Sequence, residues 1–371
     1  MTRHPPVVDA IRVSAYRVPT DAPESDGTLE WDATTIVVVE VEAGGHTGLG
    51  YTYGAAAVAD LVARELAPVL RDQRALDIAA AWHAMSAQLR NAGRPGAGMM
   101  AISAVDLALW DLKARFLGIA VADLLGRARD AVPVYGSGGF TSYSLDRIGR
   151  QLDEWVAAGI PRVKIKVGRE PLRDPERLDA ARKAIGSDTE LFVDANGALD
   201  RKQALDWANR FRHEWGVSWF EEPVSSDDLA GMRLLRDRGP SGLDIAAGEY
   251  GYLLGDFRAL LDAGAVDCLQ ADVTRCGGIT GLHTVLGLAA GHHVDVSAHC
   301  APAVSAHAFC GATNVRHLEY FHDHVRVEDM LFDGTVVPEN GQLRPDPERP
   351  GLGLSLARDR ASRYCVMAAS A

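Results

Sequence analysis

Cysteine is scarce and scattered in this chain. Its five cysteines, Cys268, Cys276, Cys300, Cys310 and Cys365, are an odd number with no C-x-x-C pair among them. That argues against a disulfide framework and against structural zinc, and it fits a reducing, cytoplasmic setting. Basic runs are also missing. The formal net charge is −12 and no Lys/Arg stripe interrupts the acidity, so nucleic acid is not an expected partner. No apolar run approaches the length of a membrane span, so no membrane partner is expected. The start "MTRHPPVVDA" lacks the apolar stretch of a signal peptide. No G-x-G-x-x-G follows an early strand, which speaks against an open dinucleotide-binding sheet. What is present is a chain of 371 residues, 47% hydrophobic and 24% charged, long enough for a large core and two domains.

Residues 1–130 mix strands and helices. "IRVSAYRV", "TTIVVVEVEAGG" and "HTGLGYTYG" read as a small sheet. The polar stretch 19–33, "PTDAPESDGTLEWDA", reads as a mobile loop. "AISAVDLALWDLKARFLG" repeats Ile102, Val105, Leu109, Leu112 and Phe116 at helical spacing, with Gly118 as a stop. Over residues 131–330 short apolar strands alternate with helical segments: "VPVYGSGGF", "RVKIKVG", "ELFVDANG", "VSWFEEP", "DIAAGE", "DCLQADV", "DVSAHC" and "RHLEYF". Eight βα units with right-handed crossovers predict a parallel β/α barrel. Residues 331–371, rich in Gly and Pro at first, read as a tail returning over the first domain.

The ends of those strands carry a ladder of ionisable residues. Lys166, Asp194, Glu221, Glu249, Asp272, His299 and Glu319 follow one another at spacings of 28, 27, 28, 23, 27 and 20 residues. Any one of them alone reads as a cap or a solvated loop residue. The repetition at one βα period is the specific signal, because late strand ends of such a barrel converge on one mouth. In "RVKIKVG", Lys164 and Lys166 share one face of a strand and Val163, Ile165 and Val167 the other. A solvated edge is the ordinary use of such lysines, but strands in a βα series are covered by helices.

Asp194, Glu221 and Glu249 lie on three consecutive strands. Together they would repel unless a cation sits between them, and hard oxygen ligands without Cys select Mg²⁺, with Mn²⁺ as a substitute. Such an ion binds a substrate carboxylate and stabilises negative charge on it. Lys166 and His299 are candidate bases, with Asp272 placed to orient His299. Glu319, if protonated, would donate a hydrogen bond to a developing oxyanion. Lys164, kept charged beside the substrate carboxylate, would lower the pKa of Lys166.

These motifs together resemble the enolase superfamily, and within it the mandelate racemase subgroup, over nearly the whole chain. "KIK" is similar to the subgroup's K-x-K. "VDAN", "FEEP" and "AGE" are similar to the strands that supply its three Mg²⁺ ligands, here Asp194, Glu221 and Glu249. Alternation lets one Glu of "FEEP" face inward, and the family pattern selects the first. "QADVTRCGG" and "SAHC" resemble the strands of its Asp–His dyad, and "HLEYF" that of its electrophilic acid, Glu319. "AISAVDLALWDLKAR" looks like the helix joining cap to barrel. The resemblance implies an α+β capping domain over a modified (β/α)₇β TIM barrel. It implies removal of the proton α to a carboxylate to give an enediolate held on Mg²⁺. It also implies an even-numbered homo-oligomer, such as an octamer. Asp272 stands where the muconate-lactonising subgroup carries a lysine, which counts against that subgroup.

The polar 19–33 loop does not suit a phenyl ring. It suits hydroxyl groups, with Glu24, Tyr51, Tyr53 and Asn196 as candidate substrate contacts. The expected substrate is therefore a polyhydroxylated acid and the expected reaction its dehydration to a 2-keto-3-deoxy acid. Racemisation or epimerisation by Lys166 and His299 is the alternative within the family. A Schiff-base aldolase leaves the three carboxylates unexplained, and a catalytically silent barrel leaves the whole ladder so.

Overall fold

The protein is described here from a computed structural model that covers residues 6–370. The first unit is an antiparallel sheet of β1 (Ala10–Ser25), β2 (Glu30–Ala43) and β3 (His46–Tyr53), joined on the outer side of β1 by the C-terminal strand Cys365–Ser370. The β-branched runs of β1 and β2 bury Val13, Val37, Val39 and Val41 against helices, chiefly the long helix Ala97–Leu117. Ile102, Val105, Leu109 and Leu112 of that helix are buried at the predicted spacing, and Gly118 ends it in the left-handed region. Helix and β3 touch almost backbone to backbone. A Cβ on Gly48 would lie 2.1 Å from the Ala108 carbonyl oxygen, and one on Gly50 would lie 2.2 Å from that of Ala104.

The second unit is a closed barrel of eight parallel strands: β4 (Val132–Gly138), β5 (Arg162–Lys166), β6 (Glu190–Asp194), β7 (Val217–Glu221), β8 (Asp244–Ala247), β9 (Cys268–Ala271), β10 (Asp295–Ala298) and β11 (Val315–Phe321). Pairing of β11 with β4 closes the ring. These are the eight expected strands, in the expected order. Val163 and Ile165 of β5 are fully buried in the main core, while the two lysines point to the barrel axis side with the acidic residues. After β11 the chain pairs Gln342–Leu343 antiparallel to β4, then crosses to the first sheet.

Residues 19–33 are not a loop. β1 runs to Ser25 and β2 starts at Glu30, so the segment is a β-hairpin with a short turn, irregular only between Pro19 and Glu24. Its acidic side chains are what the composition concealed. Asp21 meets Arg147 at 2.8 Å and His322 at 3.2 Å; Glu30 meets Arg169 at 2.9 Å; Asp32 meets Arg17 at 2.8 Å. Asp26 caps its own turn, accepting from the backbone N–H of Thr28 and Leu29 at 2.6 Å each. Barrel loops add hydrogen bonds from Thr141 and Ser142 to the hairpin's carbonyls. The carboxylates latch the hairpin onto the barrel and close its turn.

Two outcomes follow from this packing. Gly50→Ala forces β3 off the long helix; overpacking of this kind costs about 1–3 kcal/mol, read as a lower denaturation midpoint. For the latch, burial raises the Asp21 carboxyl, but His322 and Arg147 outweigh it and hold it below its usual range. Its contribution is therefore present at neutral pH and fades as pH falls below about 4. Asp21→Asn should speed amide exchange in residues 20–30 at pH 7 and hardly at acid pH, with global stability almost unchanged because partly exposed ion pairs contribute about 1 kcal/mol or less.

Candidate active site

Register alone brings the first acidic residues together. Lys166 is paired with Asp194 across β5 and β6, and Asp194 with Glu221 across β6 and β7, so the three lie at one level of the barrel. Glu249 follows β8 through Gly248, whose φ of +137° and approach to Gln270 leave no room for a side chain: a Cβ would sit 2.1 Å from the Gln270 carbonyl oxygen. Asp194, Glu221 and Glu249 each offer an oxygen within 4.8 Å of the others. Two buried oxygens in this neighbourhood, Asn196 Oδ1 and Glu222 Oε1, have no hydrogen-bond partner. Burial and the surrounding carboxylates push both Glu221 and Glu222 up. Crowded hard oxygens, unpaired acceptors and mutual repulsion together fit a hard divalent cation.

Glu222 corrects the alternation argument. It follows β7 at φ +37°, outside strand geometry, and is 2% exposed, so both glutamates of "FEEP" are buried near the site.

The two lysines occupy different surroundings. Lys164 is fully buried and does not line the cavity. Its Nζ lies 2.7 and 2.6 Å from the two oxygens of Glu221, 2.8 Å from Glu319 and 3.5 Å from Asp194. Burial lowers the Lys164 ammonium, yet Glu221 and Glu319 outweigh it and hold the proton; burial and Asp194 meanwhile push Glu221 the other way. With Nζ bonded to both Glu221 oxygens, the ion pair is the form the geometry supports. Lys166 reaches the cavity and donates to Asp194 Oδ2 at 2.5 Å. Burial and Lys164 pull its pKa down, as expected, but Asp194 outweighs them, so Lys166 is raised and not depressed.

His299 follows β10, and its Nδ1 is 2.8 Å from Asp272 Oδ2, which leaves Nε2 toward Glu249 at 3.4 Å and Glu319 at 3.6 Å. Asp272 is itself held by the backbone N–H and hydroxyl of Thr274, both at 2.7 Å. Burial lowers the imidazolium, and Cys300, Glu249, Glu319 and Asp272 more than restore it, so His299 is raised. Cys300 and Ala301 have φ of +49° and +45°. This strained corner aims the Cys300 N–H at Glu319 Oε2, 3.2 Å away. Glu319 also accepts from Ser137 at 2.6 Å. Burial would push Glu319 up, but Lys164 and His299 hold it well below the usual range, so here it is a carboxylate and not a hydrogen-bond donor.

The candidate substrate contacts divide. Asn196 lines the cavity, at φ +46° just after β6. Tyr51 is fully buried, its hydroxyl donating to Glu328 at 2.5 Å, and does not reach the cavity. Tyr53 lines it with its ring, while its hydroxyl turns to Glu328 and the His324 carbonyl at 3.4 Å each. Glu24 is fully buried behind the hairpin, accepting from Trp31 Nε1 at 2.8 Å, and burial and Asp323 push it up to about 8. Cavity-facing residues not foreseen are Leu29, Trp31, Ala33, Tyr250, Arg275 and His324. The first three alternate in "LEWDA", so the hairpin's inner face was readable had the segment been taken as a strand.

The mandelate racemase/muconate lactonizing enzyme N-terminal domain family matches residues 11–126, and the enolase C-terminal domain-like family matches residues 147–360. A 3,6-anhydro-alpha-L-galactonate cycloisomerase of Streptomyces coelicolor is 33% identical, over 97% of this chain and all of that protein. The crystal structure of a mandelate racemase/muconate lactonizing enzyme-like protein from Rubrobacter xylanophilus superimposes with a TM-score of 0.96 at 62% identity, covering 97% of this chain and 100% of that one. L-talarate dehydratase from Polaromonas sp. JS666, complexed with Mg and L-glucarate, has a TM-score of 0.88 at 31% identity and covers 99% of each chain. The chain belongs to the mandelate racemase/muconate lactonizing enzyme family of the enolase superfamily.

Proposed function

We propose that this protein removes the proton α to the carboxylate of a sugar acid and then expels the β-oxygen, giving a 2-keto-3-deoxy acid. The observation that carries the reading is one cavity lined by Lys166, Glu249 and His299, with Asp194 and Glu221 within reach of Glu249 and Asp272 bonded to His299 just beneath its wall. Asp194, Glu221 and Glu249 would hold Mg²⁺, which when bound supplies a Lewis acid for the substrate carboxylate and for the charge that proton loss places on it. Lys166, from β5, would take the α-proton in its neutral form, which becomes accessible when Asp194, the carboxylate that holds its proton, is engaged in binding the cation. His299 donates to the departing oxygen from Nε2, because Asp272 holds Nδ1 and fixes the ring. The α C–H pair moves into the carboxylate, returns as the β C–O bond breaks, and the resulting enol becomes a ketone. Lys164 takes no proton; it keeps Glu221 and Glu319 in place.

The sugar-acid part of this reading now rests on relatives such as the L-talarate dehydratase, since the hairpin's carboxylates are spent on latching. The cycloisomerase relative favours a second form of the same chemistry. When the departing oxygen belongs to a ring, the same two steps open the ring and the product is an isomer. Product mass separates them: dehydration gives a keto acid lighter by one water, ring opening one of unchanged mass. An inverted α-centre with no keto group would instead establish racemisation.

Lys166→Ala and His299→Ala should each lower kcat by roughly 10²–10⁴-fold on an identified acid while the circular dichroism spectrum is kept. Full activity in both variants would overturn the site assignment. Chelation by EDTA should stop turnover and Mg²⁺ restore it, with Mn²⁺ as a substitute; indifference to chelation would remove the metal from the mechanism. Borohydride should trap no substrate on Lys164 or Lys166.

A further inference from the structure

The cavity, about 490 Å³, has two chemically different ends. At the barrel end lie its lysine and arginine, and each is already paired. Lys166 is on Asp194; Arg275 lies 3.5 Å from Asp272 and 3.7 Å from Glu249, and donates to the Glu249 carbonyl at 3.1 Å. The cap end is lined by Leu29, Trp31 and the Ala33–Thr35 run of the hairpin with Tyr53, Phe321 and His324, and it has no lysine or arginine among the described residues. The one charged side chain there, Asp26, is anionic in kind and is engaged by its own turn.

Thr34, whose hydroxyl donates to Asp323, and Thr35 bring hydroxyls to that end, and the polar ring there is His324. Its ring stacks on Tyr53 with centroids 3.4 Å apart and planes 7° from parallel, and Phe321 packs edge-on at 5.0 Å. The backbone N–H of Ala301 donates to Nδ1 at 3.3 Å. A ring nitrogen that accepts carries no proton, so the imidazole is neutral and its proton is on Nε2. Burial, with His299 and Arg275 and against Asp272, pushes His324 down to about 3, in agreement with that tautomer. Nε2 has no protein partner and is not among the buried unpaired atoms, so it opens to the cavity. The result is a fixed, uncharged ring donor in a wall that carries hydroxyls but no cation.

We propose that His324 is a specificity-determining residue whose Nε2–H donates to an uncharged oxygen on the distal part of the substrate, so that the site takes monocarboxylic sugar acids and their anhydro forms and turns away the corresponding diacids. This rests on the cavity being the site of α-proton abstraction proposed above. A second carboxylate would leave water for a wall with neutral donors only and a nearby Asp26, and a buried charge without a charged partner is strongly disfavoured.

The test is a set of acid pairs of matched length and configuration, galactonate with galactarate and gluconate with glucarate, together with 3,6-anhydrogalactonate. Each is given to the full chain with Mg²⁺ and followed by α-hydrogen exchange in D₂O and by keto-acid formation. The monoacids or the anhydro acid should exceed the best diacid in kcat/KM by on the order of a hundredfold. His324→Phe, which keeps the stack and removes the donor, should raise KM about tenfold with a smaller change in kcat, and His324→Gln should recover part of the loss. Ala33→Arg, which adds a cation to the cap end without touching His324, should shift the ratio of diacid to monoacid turnover upward at least tenfold. Diacids processed as well as or better than monoacids by the wild type would overturn the proposal while leaving α-proton abstraction standing. So would an unchanged KM in His324→Phe together with an unchanged ratio in Ala33→Arg. No exchange with any acid of the set would overturn both readings.

Discussion

The site depends on one buried ammonium. Lys164, with no exposure, sits where three acidic residues from β6, β7 and β11 converge, and bonds directly to Glu221 and Glu319. Carboxylates crowded in this way repel, and burial adds to the cost of their charge. Lys164 offsets both, with the Tyr135 ring 5.3 Å below it as a further neighbour for the cation. The consequence is a floor of fixed negative oxygens above a packed apolar and aromatic layer of Tyr135, Phe192 and Trp219. Trp219 itself donates to Glu221 at 3.0 Å, so that layer also orients an acid. The candidate catalytic groups stand on this floor: Lys166 on Asp194, the dyad beside Glu249, and Glu319 beneath the strained Cys300 corner.

Above the floor the cap contributes shape, and its attachment is correspondingly firm. Thr52 donates to the Thr274 carbonyl at 2.7 Å, and Asp106 accepts from Thr280 through backbone and side chain. Ser103 accepts from the N–H groups of Gly277 and Gly278. These bonds grip the loop that follows Asp272, so the long cap helix helps to hold the dyad. Tyr51 does the same on the other side through Glu328, which also accepts from the Ala303 N–H at 3.1 Å. A residue chosen as a substrate contact thus belongs to the cap–barrel joint.

The barrel and its ladder were legible because they repeat. A βα period of about 27 residues places like positions at one mouth, and the eight strands and the level of Lys166, Asp194 and Glu221 follow from counting. The hairpin was not legible from composition. Asp, Glu, Pro and Ser are turn formers on average, yet here the partners that make residues 19–33 a strand pair lie far away in sequence: Arg147 and His322 in the first turns of barrel helices and Arg169 on a barrel loop. Tertiary ion pairs and the register with β2 override local preference. The partners of Lys166 and Glu319 were hidden for a related reason. Neighbours on one strand can be counted along the chain, whereas the decisive neighbours, Asp194 for Lys166 and Lys164 for Glu319, come from other strands at distances that only the fold sets.

Hairpin alternation ties these points to selectivity. In a strand, Glu30 and Asp32 cannot face the same way as Leu29, Trp31 and Ala33. Once the carboxylates turn outward to the arginines, the inner face must be the weakly polar one. A composition that reads as a hydrophilic lid therefore builds the opposite surface toward the substrate. Among the polar groups at the cap end, His324, sent up by the barrel and fixed by Tyr53 and the Ala301 N–H, holds a free donor in one orientation. Chemistry common to the family sits on strand ends that register determines. In the proposed selectivity, discrimination between acids sits on a hairpin face and one imidazole, both of which can change without disturbing the floor.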